Sequence, residues 1–359
     1  MTSRSPEPPS AVPAAATLPT TSPYILARAR AGQAVLPEVL QEEAERAASY
    51  AKAARSAATQ RVYAADWRIF EAWCAARGLS ALPTTPEIVA VFAGAEADAG
   101  LNPRTIGRRV AAIGYYHRQA GLPPPTAAAT AGRLTEVLAG IRATHGKPKV
   151  RKRAADATAL RALLATIEGD GLRAARDRAV LAIGMSAALR RSELVAVTLS
   201  DVLLVPQGLQ LTIRQSKTDR AREGVTIAIP EGQRIRPKAL LLAWMDQVTA
   251  SGTKQDRSAE DLARLPLFRR LTRSDQLTNQ PMSDRAVARL VQRCAAAAGY
   301  DPTLFAGHSL RSGFLTEAAN NRASIFKMQE VSRHKSVQVL SEYVRNAELF
   351  HDHAGAGFL

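Results

Sequence analysis

Arg190 and Glu193 lie in Ala-Leu-Arg-Arg-Ser-Glu-Leu, directly after an apolar run from Ala179 to Leu189. His308 and Arg311 stand three apart in Gly-His-Ser-Leu-Arg, His334 lies in Ser-Arg-His-Lys-Ser, Tyr343 in Ser-Glu-Tyr-Val-Arg, and Lys217 in Gln-Ser-Lys-Thr-Asp. Singly, each has a plain reading: an arginine after a core helix is usually on the surface, and a hairpin lysine is usually solvated. As a set they have a coherent chemistry. Two arginines can grip the non-bridging oxygens of a phosphodiester in bidentate fashion and stabilise the charge of a pentacovalent transition state. A phenol, with an ordinary pKa of about 10, becomes a nucleophile when nearby cations stabilise the phenolate and a neutral imidazole takes its proton. A lysine can then protonate the leaving 5′ oxygen as general acid. This chemistry needs no metal, and no carboxylate cluster or histidine pair has ligand spacing, so no cofactor is expected.

Positioning these groups falls to elements whose boundaries are written in caps and periods. After a Pro-rich leader, residues 1–36, that lacks the apolar content to order itself, residues 37–145 show helical periods throughout. Ser56 caps a helix bearing Tyr63, Trp67, Phe70 and Cys74; Thr85-Pro86-Glu87 and Asn102-Pro103 open two more. The last of these puts Ile106, Val110, Ile113 and His117 on one face and Arg104, Arg108 and Arg109 away from it. A further helix carries Leu134, Val137, Leu138 and Ile141, completing an all-α unit of four or five helices. Residues 146–155, with Gly-Lys-Pro-Lys-Val-Arg-Lys-Arg, predict an extended basic linker. A second domain, 156–359, begins with Asp156 as a helix cap. Within it Leu209, Leu211 and Ile213 alternate, as do Val225, Ile227 and Ile229, predicting a β-hairpin among helices, with Lys217 in its connection. Ser192 is the expected N-cap of the helix after Arg190, and the His308–Arg311 pair is expected at a helix start, where the dipole favours an anion.

The 48 Lys and Arg exceed the 32 Asp and Glu by 16, which points to a polyanionic partner, nucleic acid before membrane. Between Asp98 and Asp156 the only acid is Glu136, against eleven basic residues that include Arg104, Arg108, Arg109, Lys147, Lys149, Arg151, Lys152 and Arg153. That stretch reads as a phosphate-tracking surface, with the linker lying on DNA. Aromatics make up only 5% of the chain, which favours duplex over a surface for stacking single-stranded bases. Two cysteines, Cys74 and Cys294, exclude a disulfide framework or a cysteine-based zinc site and fit a reducing compartment. The apolar run is too short for a bilayer, and the N-terminus shows no export signal, so the expected location is cytoplasmic.

The ordered series of these motifs resembles the tyrosine recombinase (phage integrase) family, in length and arrangement its Cre and Xer branches. The resemblance runs from about Ser56 to the C-terminus. Its arginine and accompanying acid fall on Arg190 and Glu193, its hairpin lysine on Lys217, its His-x-x-Arg pair on His308 and Arg311, its second histidine on His334 and its nucleophile on Tyr343. It implies a mainly α fold with a small β component: an all-α core-binding (SAM-like) domain and a mixed α/β catalytic domain, closing as a clamp around duplex DNA. It also implies site-specific recombination through 3′-phosphotyrosyl links without ATP, by a homotetramer on two duplexes with inverted-repeat target sites. The sequence departs from the family at Ala188, where a glycine is common, and at Ser332-Arg333, which replace the usual Leu-Gly. Two other readings share the residues: a type IB topoisomerase that nicks and reseals as a monomer, and a DNA-binding regulator that has lost catalysis.

Overall fold

The computed structural model describes residues 40–147, 152–214, 224–251 and 258–348. The chain divides into two compact units between Lys149 and Val150.

The first unit is helical. Its elements are α1 (Gln41–Ala53), α2 (Ala57–Ala75), α3 (Pro86–Asp98), α4 (Pro103–Gln119) and α5 (Gly132–His145), with a 3-10 turn at Pro125–Ala127. The caps are local chemistry: the side chains of Ser56, Thr85 and Asn102 accept backbone N–H bonds from Thr59, Ile88 and Arg104, satisfying donors that a helix start leaves open. α2 packs on α4 and α3 on α5. Phe70, Phe92, Ile106 and Ile113 are fully buried between them, each worth about 1.5–3 kcal/mol of burial. Trp67 stacks on Tyr116 at 4.7 Å. His117, buried on the same face, accepts from Thr84 N at 3.1 Å and so donates through Nδ1 to Ile113 O at 2.8 Å; burial pushes its pKa down and keeps the ring neutral. It is a core residue.

The second unit contains α6 (Ala157–Ala165), α7 (Leu172–Ser186), α8 (Arg191–Ala196), β1 (Val202–Val205), β2 (Gly208–Ile213), β3 (Val225–Pro230), α9 (Pro237–Ala250), α10 (Ala259–Ala263), β4 (Arg269–Leu271), β5 (Leu277–Pro281), α11 (Asp284–Ala297), α12 (His308–Asn320), α13 (Ile325–Ser332) and α14 (Val337–Ala347). α7 carries most of the apolar run and runs through the core, with α9 and α12 against it. The expected hairpin forms the central strand β2 and the edge strand β3 of a three-stranded antiparallel sheet, with Leu209 opposite Ile229 and Leu211 opposite Ile227. β1 adds a strand beyond the hairpin that the sequence pattern predicts. Its Val-Leu-Leu-Val shows no alternation, because as an edge strand it leaves Leu203 and Leu204 exposed. The pair β4–β5 is a second addition, too polar to show a strand period.

Two glycines let α12 seat deeply. A Cβ on Gly184 of α7 would press on Leu310, and one on Gly313 would strike the backbone carbonyl of Ala155. Ala155 N in turn bonds Ser309 O at 2.9 Å, so the incoming chain is fixed to the helix that carries His308 and Arg311.

Candidate active site

Two turns build the site. α7 ends through Ala188, whose φ of +47° is left-handed, and the chain turns at once into α8. Arg190 itself, and not Ser192, is the N-cap of α8. The reason is Glu193, whose carboxylate accepts the Arg190 backbone N–H at 2.9 Å and Arg190 Nη1 at 2.5 Å. One acid thus caps the helix and holds the guanidinium, leaving 21% of the Arg190 side chain exposed. The second turn ends α13, where Arg333 takes φ +56° as C-cap and leads into His334.

Arg311, from the first turn of α12, joins the two turns. It is fully buried and donates to the carbonyls of Ala188 and Ser332. Ser332 O is the last carbonyl of α13, where a cation is favoured, and Ala188 O lies in the left-handed turn just past α7. Its Nη2 also lies 3.3 Å from His334 Nδ1, and Ser332 Oγ lies 2.8 Å from the same nitrogen. Burial pulls the Arg311 pKa down to about 9, with Arg190 adding repulsion, so the group remains cationic at neutral pH. Burial and then Arg311 and Arg190 push His334 down to about 4, so its imidazole is neutral at pH 7. Burial works to raise the Glu193 carboxyl, but the Arg190 N–H and the charges of Arg333 and Arg190 outweigh it and hold the pKa below the usual range.

Tyr343 sits on α14 among Leu315, Ala319, Met328 and Leu340, close enough to Arg311 to interact with it electrostatically. His308, exposed at the start of α12, acts electrostatically on His334. Arg190, Glu193, Arg311 and His334 are therefore one hydrogen-bonded and charge-coupled group, with His308 and Tyr343 within electrostatic reach. Lys217 lies outside the described residues. Among the described residues no group of His, Cys, Asp or Glu is arranged to hold a metal ion, and no helix is long and apolar enough to cross a membrane.

The basic surface is thinner than the sequence implies. Arg108 makes a two-point contact with buried Asp66 at 2.8 and 3.0 Å, and Arg109 pairs with Glu96 and reaches Asp66 at 3.6 Å. These two guanidinium groups neutralise acids of their own unit. Arg104 and Lys147 are exposed. Lys152 donates to Thr303 O at 2.5 Å, while Arg153 N bonds Leu304 O at 2.7 Å and its guanidinium lies 4.6 Å from the Tyr300 ring centre. This end of the expected linker is anchored to the second unit. Lys149 and Arg151 lie outside the described residues.

Fold and cluster together define a class of protein: a mainly helical domain that collects arginines and histidines beside a helix-borne tyrosine. Residues 154–349 match the phage integrase family, and the chain belongs to that family of tyrosine recombinases. It is 33% identical over 298 residues to an integrase/recombinase xerD homolog of Selenomonas ruminantium, covering 82% of this chain and 84% of the relative. The recombinase cre of Escherichia phage P1 is 24% identical over 298 residues, 78% and 82% of the two chains. Among solved structures, the XerH site-specific recombinase bound to palindromic difH substrate, in a post-cleavage complex, shares the fold. Its TM-score is 0.52 at 16% identity, over 74% of this chain and 70% of that one.

Proposed function

We propose that this protein is a site-specific recombinase that cleaves and rejoins duplex DNA through a 3′-phosphotyrosyl intermediate. What carries the reading is the convergence of Arg190, Arg311 and His334 on one group whose field reaches Tyr343. In this reading Arg190, the more open guanidinium, grips a non-bridging oxygen, and Arg311 supports it from below the surface. Neutral His334 is able to accept a proton or to donate to the phosphate, with His308 beside it. Tyr343 attacks phosphorus, the bond to the 5′ oxygen breaks, and Lys217 returns the proton to that oxygen. The phosphoester energy is retained in the tyrosyl link, so rejoining requires neither ATP nor metal.

Partners follow the same logic. The XerH recombinase that shares the fold is bound to its difH substrate, which supports duplex DNA as the substrate here. Exchange of strands between two duplexes requires four nucleophiles, hence a homotetramer, with inverted-repeat sites matching the pairing of protomers on each duplex. Residues 37–145 serve as the core-binding domain, 146–155 as the connection along DNA and 156–359 as the catalytic domain. Arg104 and Lys147, with Lys149, Arg151, Lys152 and Arg153, supply phosphate contacts. A cytoplasmic location goes with this reading.

The test is a denaturing gel with a nicked duplex carrying the sequence that the protein selects from a randomised pool. The native protein is expected to become covalently attached to it and Tyr343→Phe is not. An adduct formed by Tyr343→Phe refutes the nucleophile. Exchanged products from linear DNA with two sites separate recombination from topoisomerase action, which would only relax supercoils, and absence of any adduct would favour a regulator.

A further inference from the structure

Arg333 occupies a left-handed position, φ +56°, where glycine would rest without strain. Its guanidinium nevertheless turns inward, with 7% of the side chain exposed. Nη1 donates to Val331 O at 2.5 Å and reaches Ala187 O at 3.4 Å. Nη2 donates to Glu193 Oε2 at 3.0 Å and reaches Ala188 O at 3.4 Å. Nε is buried with no hydrogen-bond partner. A strained backbone, a desolvated cation and an orphan N–H are poor means of stabilising a fold. What the arrangement supplies is connection. The Glu193 carboxylate that receives Arg333 also receives both the backbone and the side chain of Arg190. Arg333 is the immediate neighbour of His334, so its fork ties the chain entering His334 to the chain entering Arg190.

We propose that Arg333 is a positioning residue: through Glu193 and the carbonyls of Ala187 and Ala188, it locks the Arg190 turn against the His334 turn, so that both side chains meet the scissile phosphate in one register. This rests on the reading above that Arg190 and His334 act on a phosphodiester. Arg333 is buried behind the site and makes no phosphate contact of its own. Arg311 spans the same two turns through the carbonyls of Ala188 and Ser332 and reaches the His334 ring, but has no hydrogen bond to the acid; Arg333 is the side chain that adds the acid holding Arg190.

Arg333→Gly separates positioning from stability, because glycine relieves the backbone while deleting the fork. With the nicked duplex described above, the single-turnover rate of adduct formation should fall about 100-fold, the scale on which small misplacements of reacting groups act. Affinity for that duplex should stay within about threefold, since the lost group lies off the DNA. Arg333→Lys keeps a charge without the fork and should recover only part of the rate, and added guanidinium ion should partly rescue the glycine variant. Without DNA, amide exchange over Ala187–Arg190 should accelerate at least about tenfold in Arg333→Gly. Native adduct rate together with native exchange in the glycine variant overturns the proposal. So does a rate loss matched by an equal loss of affinity. If the native protein itself forms no adduct, the recombinase reading fails, and the exchange measurement alone then decides whether Arg333 locks the two turns.

Discussion

Glu193→Gln isolates the charge that holds the candidate site together. The carboxylate is 2% exposed and faces two guanidinium groups, Arg190 at 2.5 Å and Arg333 at 3.0 Å. At an effective dielectric of about 20, a unit pair at 4 Å is worth about 4 kcal/mol, offset in part by the cost of burying the acid. Glutamine keeps the shape and one acceptor but leaves Arg333 as a buried cation without a counter-ion. Removing one member of a buried pair costs about 3–5 kcal/mol, and the retained amide puts this substitution near the lower end, about 3 kcal/mol. For a domain of 150–250 residues, about 2–4 °C is lost per kcal/mol, so the transition of the second unit should fall by about 6–12 °C in calorimetry at pH 7. The loss should couple to Arg333: adding Arg333→Gly to the Glu193→Gln variant should cost less than adding it to the native protein, because the unpaired cation has gone. The carboxyl titrates below its ordinary value in the folded state, so its contribution is complete above the unfolded pKa and disappears as pH falls through the folded one. The native protein and the Glu193→Gln variant should therefore begin to converge as pH falls below the ordinary carboxyl pKa of about 4.3, and meet only below the depressed folded one. A shift of less than about 2 °C at pH 7 would mean that the acid is dispensable to the cluster.

Other expectations are as direct. His334 falls from 6.5 to about 4 on folding, so the unfolded chain takes its proton first. Between those values stability should decline as pH falls, by about 1–3 kcal/mol after discounting for partial exposure, and His334→Gln should remove that slope in denaturant titrations. Gly313→Ala should cost about 1–3 kcal/mol in the same assay, because the added methyl meets the backbone of Ala155, which has no rotamer to yield. Arg104→Ala should lower the log–log salt slope of DNA binding by about 0.9, whereas Arg108→Ala should leave the slope alone and destabilise the first unit by about 2 kcal/mol through Asp66. An unchanged slope for Arg104 would remove it from the DNA-facing set.

Much of the fold is legible in the sequence where the causes are local. Ser56, Thr85, Asn102 and Asp156 cap helices as their side-chain chemistry demands, and the apolar faces of α2, α4 and α5 follow the helical period into the core. The candidate site is legible as a series of residue types, because Arg190, His308, Arg311, His334 and Tyr343 each occur in a short motif. What escapes depends on distant partners. Asp66 draws in Arg108 from 42 positions away, and Glu193 draws in Arg333 from 140 positions away. An amphipathic count sees the first pair as a solvated basic face. It sees Arg333 as an ordinary polar residue after a helix. Likewise Ser192 is the better cap by residue type, but Glu193, three residues past Arg190, accepts the N–H at the true start of the helix.

The cluster also bears on how like charges share one site. Arg190, Arg311 and Arg333 lie close enough to repel one another, yet they face a single carboxylate. The balance comes from backbone: α7 and α13 both end in left-handed turns beside the site, and the carbonyls of Ala187, Ala188, Val331 and Ser332 accept the hydrogen bonds of Arg311 and Arg333. Those carbonyls, two in the last turn of α13 and two in the turn that follows α7, carry partial negative charge that is fixed in direction and cannot be titrated. Three guanidinium groups against one acid still leave an excess of positive charge, and the only member with substantial exposure is Arg190. An anion binding beside Arg190 relieves repulsion throughout the group. In the recombinase reading proposed above, a phosphodiester is the anion that completes this arrangement electrostatically, with Arg190 and His334 already ordered by their protein partners.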